Sequence, residues 1–166
     1  MLNVEGAVRD MGDMTRPEED FKGIPLKVKT ESLGIVDEQV AVRQLSPDRY
    51  LVLLSPGFYG GLAAGDVIRY DAIAKEAEVI SRGGCIAVRV YKGSASADVL
   101  ERFRESASAI GGKVDGELEG FVVVTFPPTA TFPMIEEIMT VPSRSGVEWE
   151  YGNVYDEHGR PIGWWE

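Results

Sequence analysis

The sequence concentrates its candidate chemistry in one histidine, one cysteine and the stretch GGLAAGDVIRYD at Gly60 to Asp71. A phosphate loop would need Gly-Lys-Ser or Gly-Lys-Thr leading into a helix, and a dinucleotide fingerprint would need its third glycine at a helix start. This stretch has neither and runs into a β-like segment, so it does not read as a nucleotide site. Gly65-Asp66 reads as a turn into a strand, the Asp66 carboxylate bonding nearby backbone N–H groups. His158 is the sole imidazole, which excludes a zinc site built on several histidines; beside Asp156, Glu157 and Gly159 it reads as a solvated turn residue. Cys85 opens an apolar strand and reads as packing, since a nucleophile would need exposure and a base. Ser55, in SPGFYG, lacks the Gly-x-Ser-x-Gly frame of a nucleophile elbow. Glu136 and Glu137 are adjacent on a helix and point apart, unlike an acid–base pair. The expectation is a chain with no catalytic residue, no metal and no cofactor.

What the chain does offer is contact chemistry. Its net charge is −10, and from Asp115 onward ten acidic side chains stand against two basic ones. Such a field repels nucleic acid and draws in basic surfaces. The closing strand also lacks the aromatic-basic signature of an RNA recognition motif. Near the end of this acidic third, acids group around five Trp and Tyr rings. Glu148, Trp149, Glu150, Tyr151, Tyr155, Asp156, Glu157, Trp164 and Trp165 are therefore the predicted surface for a basic protein partner, with charge speeding encounter and rings anchoring the complex. Alternatively the same aromatics cap the core and cover the sheet edge. A reading from a different class is a small enzyme or ligand-binding module using a cleft between two halves of the chain, with Asp66, Arg82, Arg89 and Tyr91 as its polar groups. A third is a homo-oligomer formed by sheet-edge pairing.

The elements that must position these residues fall into two patterns. Residues 1–22 show no sustained periodicity and read as a mobile arm. Residues 23–84 carry short apolar runs separated by turn signals: Leu26–Lys29, Gln39–Leu45, Tyr50–Leu54, Asp66–Tyr70 and Ala77–Ser81. That spacing predicts a small β-barrel-like half. Residues 85–166 read as strand, helix, strand, strand, helix, strand: a ferredoxin-like βαββαβ half within an α+β protein. CIAVRVY and FVVVTF are the most apolar strands and belong at the sheet centre. The first helix is expected to be capped by Asp98 and ended by Gly111-Gly112. The second should open at Pro133 and close at Pro142, and the tail should return as a short strand ending in Trp164 and Trp165. No run reaches the ~18 to 20 apolar residues of a bilayer span, and an acidic N-terminus does not suit a signal peptide. With one cysteine and no internal disulfide, a cytoplasmic protein is expected.

The Tyr50–Pro56 strand and turn, LAAGDVIRY at Leu62–Tyr70, the AEVISRGGCIAVRVY join and the helix followed by FVVVTFP together resemble a family of small bacterial proteins known as a domain of unknown function. The likeness spans about Leu26 to Trp165 and leaves the first twenty-odd residues outside. Its motifs are structural and carry no catalytic residues. Some members look like companions of polymorphic bacterial toxins, so the resemblance implies an immunity-protein role: a cytoplasmic inhibitor covering the basic active site of a cognate toxin.

Overall fold

A computed structural model describes residues 21–166, so the arm expected over 1–22 lies outside the described residues except for Phe21 and Lys22. Lys22 already begins a ladder, pairing with Val42. The fold is mixed α/β, with nine strands in two antiparallel sheets and two helices among the described residues.

The first sheet is a meander in sequence order: β1 (Lys22–Thr30), β2 (Gly34–Ser46), β3 (Arg49–Val52), β4 (Val67–Asp71) and β5 (Glu76–Ser81). β1 and β2 are longer than their apolar runs imply. Gly34, at φ +71°, and the Thr30 hydroxyl, which accepts from Leu33 N at 3.0 Å, make a turn that holds the polar ends of both strands in register. Ile24, Leu26, Val40, Val42, Tyr50, Val52, Leu62 and Ile68 share its buried core.

This sheet curls but is not a closed barrel, because a single backbone bond and several side-chain contacts, rather than a ladder, span the gap beside β1 and β5. Pro25 occupies an outward position on β1, where it has no N–H, and its carbonyl accepts the Tyr70 hydroxyl at 2.8 Å. Lys27 N donates to Lys75 O at 2.9 Å, and Lys75 pairs with Asp37. The Tyr59 hydroxyl lies in the same seam, accepting from Ala77 N at 3.1 Å.

The second sheet has the order β7-β8-β6-β9, from β6 (Ile86–Tyr91), β7 (Lys113–Leu118), β8 (Phe121–Phe126) and β9 (Glu148–Tyr151). Helices α1 (Ala97–Ala109) and α2 (Phe132–Arg144) follow β6 and β8. Phe103, Ala107, Ile135 and Met139 of the helices pack with Val88, Val90, Val122, Val124 and Phe126. All six residues of β8 are buried, since helices cover one face and the first half of the chain covers the other, as in the 5.2 Å contact of Phe58 with Phe121. That double burial is why FVVVTF shows no alternation.

Local details differ from the sequence reading. Helix α1 is capped by Ser96, whose hydroxyl accepts from Val99 N, while Asp98 sits in the first turn. Thr131 caps α2, and Pro142 lies inside it, close enough to the end that only the last bonds are lost. Cys85 is half-buried and precedes β6 rather than packing in the core. The tail forms one isolated bridge, Tyr155 with Pro161, and no strand. No helix among the described residues is long and apolar enough to cross a membrane.

Candidate functional site

The segment Ser55–Gly61, between β3 and β4, joins the two halves. Glu38 lies two and four residues before Val40 and Val42 on the inward face of β2 and is buried with them. Its carboxylate accepts the successive N–H groups of Gly57 at 2.7 Å, Phe58 at 3.1 Å and Tyr59 at 2.7 Å. Burial raises the Glu38 pKa above the ordinary value, against the pull of those donors and of Arg89. From the second sheet, Arg89 Nη2 donates to Tyr59 O at 2.9 Å, and Gly61 N donates to Gly152 O at 2.9 Å. A small cavity of about 30 Å³, room for one water, lies beside Glu38, Ser55 and Asp115.

On the outer side of this clamped loop is an open cleft of about 1120 Å³. One wall is β1 at Lys27–Lys29, the floor holds Phe58–Gly61 and Arg89, and the other wall is Trp149–Gly152 with the turn from Tyr155 to Gly159. The lining carries both signs: Lys27 and Lys29 from β1, and Glu150, Asp156 and Glu157 from β9 and the turn after it. Arg89 is nearly buried, bonded to Tyr59 O and 3.4 Å from Glu150, while its Nε has no partner. Tyr91 donates to Glu150 at 2.8 Å; burial and then that carboxylate push its phenol up to about 12.

Six of the nine residues predicted to bind a partner line this cleft: Trp149, Glu150, Tyr151, Tyr155, Asp156 and Glu157. Glu148, Trp164 and Trp165 do not. Trp164 donates Nε1–H to Asn153 O at 2.7 Å and stacks under Arg82, and Trp165 meets Phe132 at 5.3 Å; both indoles pack on the second core. Asp156 is engaged by its own turn, accepting N–H from Arg160 and His158 at 2.9 Å each, which holds its pKa low. Tyr151 rests on Trp149 and Phe132, and burial followed by Glu136 raises its phenol well above the usual range.

The four polar groups of the small-molecule reading do not converge. Asp66 and Arg82 form their own pair at 3.2 Å, where Asp66 also takes the N–H of Ala63 and Gly83 at 3.0 Å each. Burial raises the Asp66 pKa despite these partners. Of the four, only Arg89 borders the cleft. His158 is exposed, 3.5 Å from Glu157. Among the described residues, no three or more His, Cys, Asp and Glu side chains group as a metal site.

Several residues of this site are not apparent from the sequence reading. Glu38 carried a usable signal, an acid in phase with two inward valines of a strand. Lys27, Lys29, Phe58 and Tyr59 carried none, because their meeting depends on how the two sheets pack.

A model of the DUF4265 family, described as a domain of unknown function, matches residues 38–151. The chain belongs to that family. The DUF4265 match runs from the Glu38 clamp to the last residue of β9, leaving β1 and the cleft-lining turn at Tyr155–Gly159 outside it. The DUF4265 chain is also similar to the crystal structure of a hypothetical protein from Neisseria gonorrhoeae, with a TM-score of 0.64 and 15% identity over 80% of this chain and 94% of that one. At that identity the likeness is one of fold. No curated protein matches the chain.

Proposed function

We propose that this DUF4265 protein binds a basic protein partner along the acidic, aromatic wall of the cleft. In its most concrete form it is an immunity protein that covers the basic active site of a bacterial toxin in the cytoplasm. The observation that carries the reading is that Trp149, Glu150, Tyr151, Tyr155, Asp156 and Glu157 all border one opening large enough for a protein segment. Half-exposed rings amid carboxylates favour a polypeptide with cationic side chains: rings supply anchoring area and carboxylates supply steering. The polar groups that would orient a small substrate are already engaged, as Arg89 is by Tyr59 and Glu150.

The scaffold for this surface is read as a ferredoxin-like split βαβ unit abutting a barrel-like sheet. The order β7-β8-β6-β9, with a helix after β6 and another after β8, supports the first term. The curled meander with its side-chain seam supports the second.

The test is kinetic. A partner cross-linked in cells of the native host, identified by mass spectrometry and then purified, is mixed with wild type and with Glu157→Lys, Glu148→Lys and Tyr155→Ala. Charge reversal should slow association severalfold at low salt, and loss of the Tyr155 ring should speed dissociation. Rates unchanged in all three variants overturn the reading.

A further inference from the structure

Resting on that protein-binding reading, we infer that the occupant of the cleft binds as an added β-strand on the outer edge of β9, its side chains alternating between cationic and apolar. The backbone pattern points to this. Gly152 N donates to Ala87 O at 2.8 Å, while Ala87 N donates to Asn153 Oδ1 at 3.0 Å, so the backbone N–H of Gly152 points toward β6 and fixes the phase of the strand before it. Continuing the register, Glu150 opposite Arg89 and Glu148 opposite Tyr91 also bond inward to β6. The N–H and C=O groups of Trp149 and Tyr151 therefore point away from β6, and among the described residues no other strand of the sheet lies beyond β9. Trp149 and Glu150 send their side chains to opposite faces yet both border the cleft, so the opening follows the strand's edge. An unpaired edge facing an open channel is a template for main-chain hydrogen bonding.

The side chains set the pattern of the occupant. Glu148 and Glu150 lie on the face shared with Arg89, while Trp149 and Tyr151 share the face of Val90 and Val88 beneath the helices. A residue placed opposite Glu150 falls in a non-hydrogen-bonded pair, where side chains approach most closely, and a lysine or arginine fits there. Its neighbours meet Trp149 and Tyr151 and are best apolar. A second copy of this chain is disfavoured. The antiparallel registers that pair Trp149 with Trp149 or Trp149 with Tyr151 set glutamate directly against glutamate, and a net charge of −10 on each copy opposes self-pairing in any register.

The experiment uses the full chain and a labelled, end-capped synthetic heptapeptide of alternating lysine and valine. Binding is read by fluorescence anisotropy, and amide exchange of the protein by NMR. The expected result is saturable binding, slowed exchange at Trp149 and Tyr151, at least tenfold weaker binding when the valines are N-methylated, and less than twofold change when the lysines are. A glutamate–valine peptide should not bind. Peptide binding without protection of Trp149 and Tyr151, or with equal sensitivity to both methylation patterns, overturns strand addition and leaves the protein-binding reading standing. Absence of binding at millimolar peptide also overturns it. The broader reading fails separately, if the captured partner ignores Glu157→Lys, Glu148→Lys and Tyr155→Ala.

Discussion

Asp115, at the bulge of β7, accepts the backbone N–H of Ser55 from the other half of the molecule at 2.9 Å. The same carboxylate oxygen takes the Thr125 hydroxyl at 2.6 Å. Ser55 Oγ touches Thr125 Oγ1 and accepts from Ala64 N at 3.0 Å. All three side chains are buried, so the two halves meet through a buried polar chain as well as through apolar packing. Thr125→Val keeps the shape and removes the hydroxyl, and should lower stability by about 1–3 kcal/mol in urea unfolding, with Thr125→Ser close to wild type. A double-mutant cycle of Ser55→Ala with Thr125→Val should give about 1 kcal/mol of coupling. Strict additivity would show that the chain is not a unit.

Glu38 predicts a pH slope. Burial raises its folded pKa above 4.5, so the folded chain holds that proton more tightly than the unfolded one. Its contribution is complete below pH 4.5 and is lost as pH rises through the raised folded value. Unfolding free energies of wild type and Glu38→Gln, measured from acid to neutral pH, should converge as pH rises over that window as far as ionisation is concerned. The wild type should show the extra decline and the variant should lack it. Parallel curves would mean that Glu38 titrates as it does in the unfolded chain.

Gly83 and Gly60 give a contrast in backbone space. A Cβ on Gly83 would sit 2.6 Å from the carbonyl carbon and oxygen of Gly65, atoms that cannot swing aside, whereas one on Gly60 meets nothing within 4 Å. Gly83→Ala should cost about 2 kcal/mol or more, and Gly60→Ala about 0.5 kcal/mol at most. Thermal unfolding of the two variants decides this. Equal midpoints would argue against the close approach of the two segments.

Tyr91 lies outside the cleft but reports on Glu150, which lines it. Its phenol is pushed up to about 12 by burial first and by the Glu150 carboxylate second. Glu150→Gln removes only the second cause, so ultraviolet titration should show one phenol moving part of the way toward 10.0. No movement would separate Tyr91 from Glu150 in solution.

The element order was readable because local signals agreed with one another. Val88 and Val90 alternate with Arg89 and Tyr91, glycines close α1, and Ser-Pro pairs break the first sheet. Strand ends were less readable: Gly34–Glu38, in which a glycine and two acids flank Ile35 and Val36, is held in β2 by its partner rather than by its own composition. The candidate site was legible only along β9 and its following turn, where acids and rings are neighbours in sequence. The opposite wall, Lys27 and Lys29, lies more than a hundred residues away and comes to the cleft through sheet packing. Trp164 and Trp165 pack partly buried on the second core and lie outside the cleft, a placement that the tail's composition does not distinguish from an exposed one.

Pro25 has no hydrogen to offer on the outward side of β1, and Tyr70 already occupies its carbonyl. A neighbouring molecule thus finds an interrupted register on that margin, with no run of free groups to copy. Stacking of further strands onto β1 is thereby disfavoured, since an incoming chain would lose a ladder bond at Pro25.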